Sequence, residues 1–122
     1  MYTVAKSFSF CAAHHNPLDD GPCGINHGHN WSVEFVFRGD TLDHRGWLIG
    51  FDDIRHAVKP LIDALDHSDL NQTLPINPTC ENIAKWFHGQ IAEMIPALHE
   101  TRVTERAGEW TTYAAYTPSE AA

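Results

Sequence analysis

Cysteine is scarce in this chain: Cys11, Cys23 and Cys80 are the three in 122 residues. An odd, sparse set cannot build the disulfide framework of a small secreted domain, so a reducing compartment is expected. Basic side chains are also few, eight against sixteen acidic ones, giving a formal net charge of −8. They are scattered along the chain, which excludes the basic stripe that nonspecific nucleic-acid binding needs. An anionic ligand would need a local cluster, for which Lys6, Arg55 and Lys59 are the candidates. No apolar run approaches the roughly 18 residues of a membrane span, and Met1 leads directly into a strand pattern without a signal-peptide core. A soluble cytoplasmic protein is the expectation. Repeats and low-complexity stretches are missing, so one domain is expected over residues 1–117, with a frayed tail at 118–122.

Histidine, by contrast, is plentiful, with nine residues. Two of them sit in Cys23-Gly24-Ile25-Asn26-His27-Gly28-His29, which runs into the alternation Trp31, Val33, Phe35, Phe37. Side chains two apart on a strand share a face, so His27 and His29 project together, in line with those apolar residues. In the first strand the even positions Val4, Phe8, Phe10 and Ala12 are apolar and His14 continues that face, whereas His15 points the other way. Three neutral imidazoles describe a catalytic zinc site with a position left open. With nine histidines a chance His-x-His pair is common; the third histidine, the nearby Cys23 and the shared inward face are what point to metal. Cys23 reads either as a fourth ligand closing a structural site or as a thiol acting as base or nucleophile. Local spacing leaves both open.

The remaining pattern predicts β strands over Tyr2 to His14 and Asn26 to Arg38, joined by the polar loop Asn16 to Gly24, with a turn at Gly39-Asp40. A short strand is expected over Trp47 to Phe51, then a helix from Asp52-Asp53 whose buried stripe is Ile54, Ala57, Val58, Leu61, Ile62 and Leu65. Pro60 within it predicts a kink or a break. A loop, Asp66 to Asn71, precedes a second helix capped by Thr79 and ending near Ile95. Strands over Arg102 to Glu105 and Trp110 to Tyr116 close the domain. The order ββααββ implies an α+β fold, two helices on one face of a four-stranded antiparallel sheet. Its other face and edges need cover, which oligomerisation would supply.

Two further features could carry chemistry. In Asp66-His67 a carboxylate sits beside an imidazole, suited to a general acid or base. The plainer reading is a histidine favoured by the helix C-terminus beside a solvated aspartate. Glu105 could accept paired hydrogen bonds from an amidine-like ring edge, or be an ordinary solvated strand-end carboxylate. Glu81 suits the helix dipole.

In order and spacing, Phe8-Ser9-Phe10-Cys11-Ala12-Ala13-His14, Cys23-x-x-x-His27-Gly28-His29, Leu65-Asp66-His67, Asn77-Pro78-Thr79-x-Glu81 and Val103-x-Glu105 resemble the 6-pyruvoyl- and 6-carboxy-tetrahydropterin synthase family across nearly the whole chain. The resemblance implies the tunnelling fold, in which subunits join their sheets into a barrel, as a trimer or a hexameric dimer of trimers. It implies Zn2+ held by His14, His27 and His29, Cys23 as the catalytic thiol, Asp66 and His67 as its relay, and Glu105 as the pterin anchor. The implied substrate is 7,8-dihydroneopterin triphosphate. Three residues between thiol and His-Gly-His look like the bacterial 6-carboxy-tetrahydropterin synthases of queuosine and 7-deazapurine synthesis, which release acetaldehyde. A pyruvoyl-forming synthase, a hydroxymethyl-pterin-forming enzyme and a noncatalytic zinc or pterin binder are the competing implications. Two positions depart from the family pattern: His15 stands where Arg is common, and Gly50-Phe51 where Asp-Phe is common, which implies either a shift of the acidic group to Asp52 or a divergent member with altered substrate preference.

Overall fold

The alternation in the first segment forms strand β1, Tyr2–His14, which pairs antiparallel with β2, His27–Gly39, over thirteen residues each. In that register Phe10 faces Trp31, Ala12 faces His29 and His14 faces His27. The even positions of β1 and odd positions of β2 therefore share one face, and the apolar ones among them form the sheet side of the core. The computed structural model describes residues 1–119; of the expected tail, 120–122 lie outside the described residues.

Against this face pack helix α1, Phe51–Leu65, and a second long helix, Cys80–Met94. Helix α1 buries Ile54, Val58, Ile62 and Leu65. Pro60 does not break it. Proline costs a helix interior about 3 kcal/mol, whereas four buried aliphatic side chains contribute roughly 1.5–3 kcal/mol each, and Pro60 sits on the exposed side. Gly50 at the N-cap offers no side-chain acceptor, and the carboxylate that lies against it is that of Asp53, 2.8 Å from where a Cβ would stand. Asp53, where Asp52 was expected, is thus the carboxylate nearest the helix start; Asp52 pairs with Arg55 at 3.7 Å.

Four expectations are corrected. Residues 47–50 form no strand, because Asp43 winds the preceding segment into a turn: its Oδ1 accepts from the amides of Arg45 and Trp47 at 2.8 and 3.2 Å. Phe51 already belongs to α1. The segment expected as a loop holds a two-residue strand β3, Ser68–Asp69, parallel to β1 at Ala12 and Ala13, and then a one-turn helix α2, Leu70–Thr73, capped by Asp69. The long helix at Cys80 is therefore α3, and Thr79 caps it as expected, accepting from the Asn82 amide at 3.1 Å. Strand β4 starts earlier than expected, spanning Leu98–Thr104, and β5 is shorter, Ala114–Tyr116. The result is an open, mixed five-stranded α+β sheet in the order β3-β1-β2-β4-β5 with three α-helices among the described residues.

The face turned away from the helices is polar. Ser7 reaches Glu34 at 3.2 Å, Ser9 meets Ser32 at 3.2 Å, and Arg102 bridges Glu100 and Glu34. Beyond Ala12 and Ala13, the outer edge of β1 has no partner strand among the described residues. No described helix is long and apolar enough to cross a membrane.

Within the core, His88 of α3 is 3% exposed and its Nδ1 lies 2.9 Å from Thr101 Oγ1. Burial first, and then the charge of His99, lower its pKa. The native ring therefore stays neutral while the unfolded chain takes up a proton below about pH 6.5, so stability falls as pH drops from there toward the native pKa. Urea unfolding of metal-free protein at pH 7.5 and 5.5 should show wild type losing more stability than His88→Gln. Equal losses would remove His88 from the account.

Candidate metal centre and adjoining pockets

The hairpin register brings His14, His27 and His29 into one group, whose ligand nitrogens all lie within 4.8 Å of one another. Their ring centroids are 4.6–5.2 Å apart. Trp31, fully buried, floors the cluster, its ring edge-on to His14 at 4.7 Å and to His29 at 5.5 Å. The indole N–H donates to the Ala12 carbonyl at 3.1 Å, which fixes that floor to β1.

Backbone carbonyls orient two of the rings. His14 Nδ1 lies 2.8 Å from the Pro78 carbonyl and His27 Nδ1 2.7 Å from that of Ile25, so each neutral ring donates its Nδ1–H and keeps a lone pair on Nε2. The Nε2 atoms of His14 and His29 are buried without a hydrogen-bond partner. Orphaned buried acceptors are rare and call for a partner. Burial, the largest influence, lowers the His29 pKa, and the neighbouring imidazoles act in the same direction against the opposing Glu105 charge. Neutral imidazoles converging with free lone pairs fit a divalent metal such as zinc.

Cys23 lies outside this ligand group, exposed on a 3-10 turn, Pro22–Gly24. The loop is tied back where the Asn16 amide donates to the Cys23 carbonyl at 2.7 Å. Gly24 is required there, since a Cβ would stand 2.1 Å from the Asp19 carbonyl oxygen.

Asp66 and His67 form a pair, Oδ2 to Nδ1 at 3.0 Å. The other carboxylate oxygen accepts from the Cys11 amide at 2.9 Å, and this bond, ahead of the His67 contacts, lowers the Asp66 pKa. His67 takes a left-handed backbone, φ 59°, and its amide donates to the Cys11 carbonyl. The parallel strand β3 begins immediately after it. His67 and Ser68 border a pocket of about 480 Å³ with Cys11, Ala13, Gly28 and Asn30, on the sheet face opposite the imidazole cluster; His29, whose ring lies in that cluster, borders the pocket from its strand.

Glu105 continues the helix-facing parity of Thr101 and Val103, so its carboxylate falls on the imidazole side. Oε1 lies 3.6 Å from His14 Nε2 and Oε2 3.5 Å from His29 Nε2. The same residue borders a cavity of about 740 Å³ lined also by Cys80, Glu81, Thr104, Arg106 and Tyr113. Burial first, then the charges of Glu105 and Glu81, push the Cys80 thiol up to about 12, so it stays protonated. Sequence reasoning assigned no role to Cys11 or Cys80; neither carries a spacing signal, and both are identified by tertiary contacts alone.

Lys6, Arg55 and Lys59 are not gathered into an anion pocket. Lys6 donates to the Phe51 carbonyl at 3.3 Å, Arg55 pairs with Asp52 and Lys59 with Asp63. The backbone of His15 is bracketed by Asn71, which accepts from its amide at 2.9 Å and donates to its carbonyl at 3.0 Å.

Residues 3–115 match the sequence model of the family described as 6-pyruvoyl tetrahydropterin synthase. The 6-carboxy-5,6,7,8-tetrahydropterin synthase of Synechocystis sp. is 34% identical over 112 residues, covering 86% of this chain and 87% of its own. The dihydroneopterin monophosphate aldolase of Pyrococcus furiosus is 34% identical over 88 residues, 72% of this chain and 73% of its own. Among solved structures, Caenorhabditis elegans 6-pyruvoyl tetrahydropterin synthase superposes with a TM-score of 0.83 at 21% identity, covering 97% of this chain and 96% of that one.

Zinc titration by calorimetry tests the cluster. His14→Ala should weaken binding by more than the roughly 10–100-fold that loss of an outer-shell partner costs, while Cys23→Ala should leave affinity unchanged. A matching loss in Cys23→Ala would make the thiol a ligand.

Proposed function

This chain belongs to the 6-pyruvoyl tetrahydropterin synthase family, and from that premise we propose that it is a zinc-dependent 6-carboxy-tetrahydropterin synthase. Its relatives make it an enzyme of the lyase type in pterin biosynthesis. In the proposed reaction 7,8-dihydroneopterin triphosphate and one water give 6-carboxy-5,6,7,8-tetrahydropterin, acetaldehyde and triphosphate. The product would feed queuosine and other 7-deazapurine synthesis, and residues 1–117 would be the single catalytic domain.

The observation that carries this reading is the convergence of His14, His27 and His29, whose ligand nitrogens all lie within 4.8 Å of one another. His14, His27 and His29 would hold the ion. A bound divalent metal supplies Lewis-acid polarisation of the hydroxyl and carbonyl oxygens of the substrate side chain. Asp66 holds the His67 ring at Nδ1, leaving Nε2 to donate or accept a proton. Cys23, held on its tied-back turn and exposed, is the second proton acceptor in this scheme. Retention of a thiol there favours the carboxy-forming reading over carbon–carbon cleavage to a hydroxymethyl pterin. Glu105, on the cavity wall beside the imidazoles, accepts the paired N–H groups of the pterin ring edge.

Assembly into a trimer or a dimer of trimers belongs to the same proposal. A long unpaired β1 edge and a polar outer face support it, because joined edges would close a barrel around a wet interior. Free cysteines suit a cytoplasmic location.

Mass spectrometry of products from zinc-loaded protein and 7,8-dihydroneopterin triphosphate is the test. We expect 6-carboxy-tetrahydropterin with equimolar acetaldehyde, and a kcat lowered by roughly 10²–10⁴ in Cys23→Ala and His67→Gln. 6-Pyruvoyl-tetrahydropterin as the product would move the chain to the other branch. Unchanged substrate would favour a noncatalytic pterin binder.

A further inference from the structure

The position of Glu105 is not that of a residue serving a ring edge alone. Both carboxylate oxygens are turned toward the histidine cluster, one opposite His14 Nε2 at 3.6 Å and the other opposite His29 Nε2 at 3.5 Å. These separations are too long for N–H···O hydrogen bonds, which fall near 2.7–3.2 Å. They are also unfavourable as bare contacts. His14 donates its Nδ1–H to the Pro78 carbonyl, so its neutral ring presents a lone pair to a carboxylate oxygen. His29 Nε2 is likewise buried without a hydrogen-bond partner. Two buried acceptors facing an anion repel unless a cation lies between them.

A tetrahedral ion accounts for the spacing. Donors about 2.0–2.2 Å from zinc lie roughly 3.3–3.6 Å from one another. The two Glu105 contacts fall within or at the edge of that interval. We propose that Glu105 is the fourth ligand of the resting metal centre and gives up that position when the pterin ring enters the neighbouring cavity. This rests on the proposed reading of His14, His27 and His29 as metal ligands, and adds to it a carboxylate with two stations. One station is at the metal; the other faces the 740 Å³ cavity on which Glu105 borders. The half-exposed side chain, at 41%, is free to change rotamer between them. The carboxylate would thereby keep water from the resting ion and release the coordination position only to a substrate that also offers ring donors.

The test uses intact protein loaded with cobalt(II), whose visible absorption reports coordination number, together with zinc affinity measured against a chromophoric chelator. Glu105→Gln removes the anionic donor at constant shape. Glu105→Asp keeps the charge but shortens the reach, and it separates ligation from a general electrostatic attraction. The proposal predicts an intense four-coordinate cobalt spectrum in wild type, a weaker and altered spectrum in both variants, and zinc affinity lowered at least about tenfold in each. Identical spectra and affinities in wild type and Glu105→Gln would overturn the fourth ligand while leaving the three histidines in place. Restoration of wild-type affinity and spectrum by Glu105→Asp would also overturn it, since charge without reach would then suffice. Failure of wild type itself to bind either ion would overturn the three-histidine reading together with this one.

Discussion

Everything at this site depends on the pairing register of one hairpin. His14 opposes His27, and His29 lies two residues further along the same face, opposite Ala12. A slip of one residue would send one strand's histidines to the polar face and leave Trp31, Val33 and Phe35 in water. The register is specified by burial: Phe10, Trp31, Val33, Phe35 and Phe37 are all nearly or fully buried against the helices. The hydrophobic core and the imidazole cluster are thus two ends of one face, and the energy that fixes the first also aligns the second. Outside that face the cluster needs only local fastening, which the carbonyls of Pro78 and Ile25 supply.

The Asp66–His67 pair is held differently. His67 is displayed by a left-handed residue just before a two-residue strand, and its partner Asp66 is held ionised by an amide of β1. The backbone of Cys11 therefore holds both, accepting from the His67 amide and donating to Asp66. That arrangement couples the Asp66–His67 pair to the same strand that carries His14. Its side-chain machinery is small, and its placement comes from strand pairing.

What the sequence revealed and concealed follows from this. Period-two and helical patterns extend over many residues in β1, β2, α1 and α3, so those elements and the shared face of the three histidines were readable. Strand β3 was not, because two residues carry no period. The expected strand at Trp47–Phe51 had suitable side chains, but Asp43 captures the neighbouring amides and turns the chain first. Pro60 looked like a breaker only in isolation from the core stripe that outweighs it. The approach of Glu105 to the imidazoles depends on contacts between distant segments. No spacing rule encodes those.

Anomalous diffraction from crystals of zinc-loaded protein, recorded on both sides of the zinc edge, tests the central claim most directly. The account predicts one peak per chain within about 2.0–2.1 Å of the ring nitrogens of His14, His27 and His29, with Cys23 Sγ beyond bonding distance. A peak bonded to Cys23, or located away from the hairpin, would contradict it.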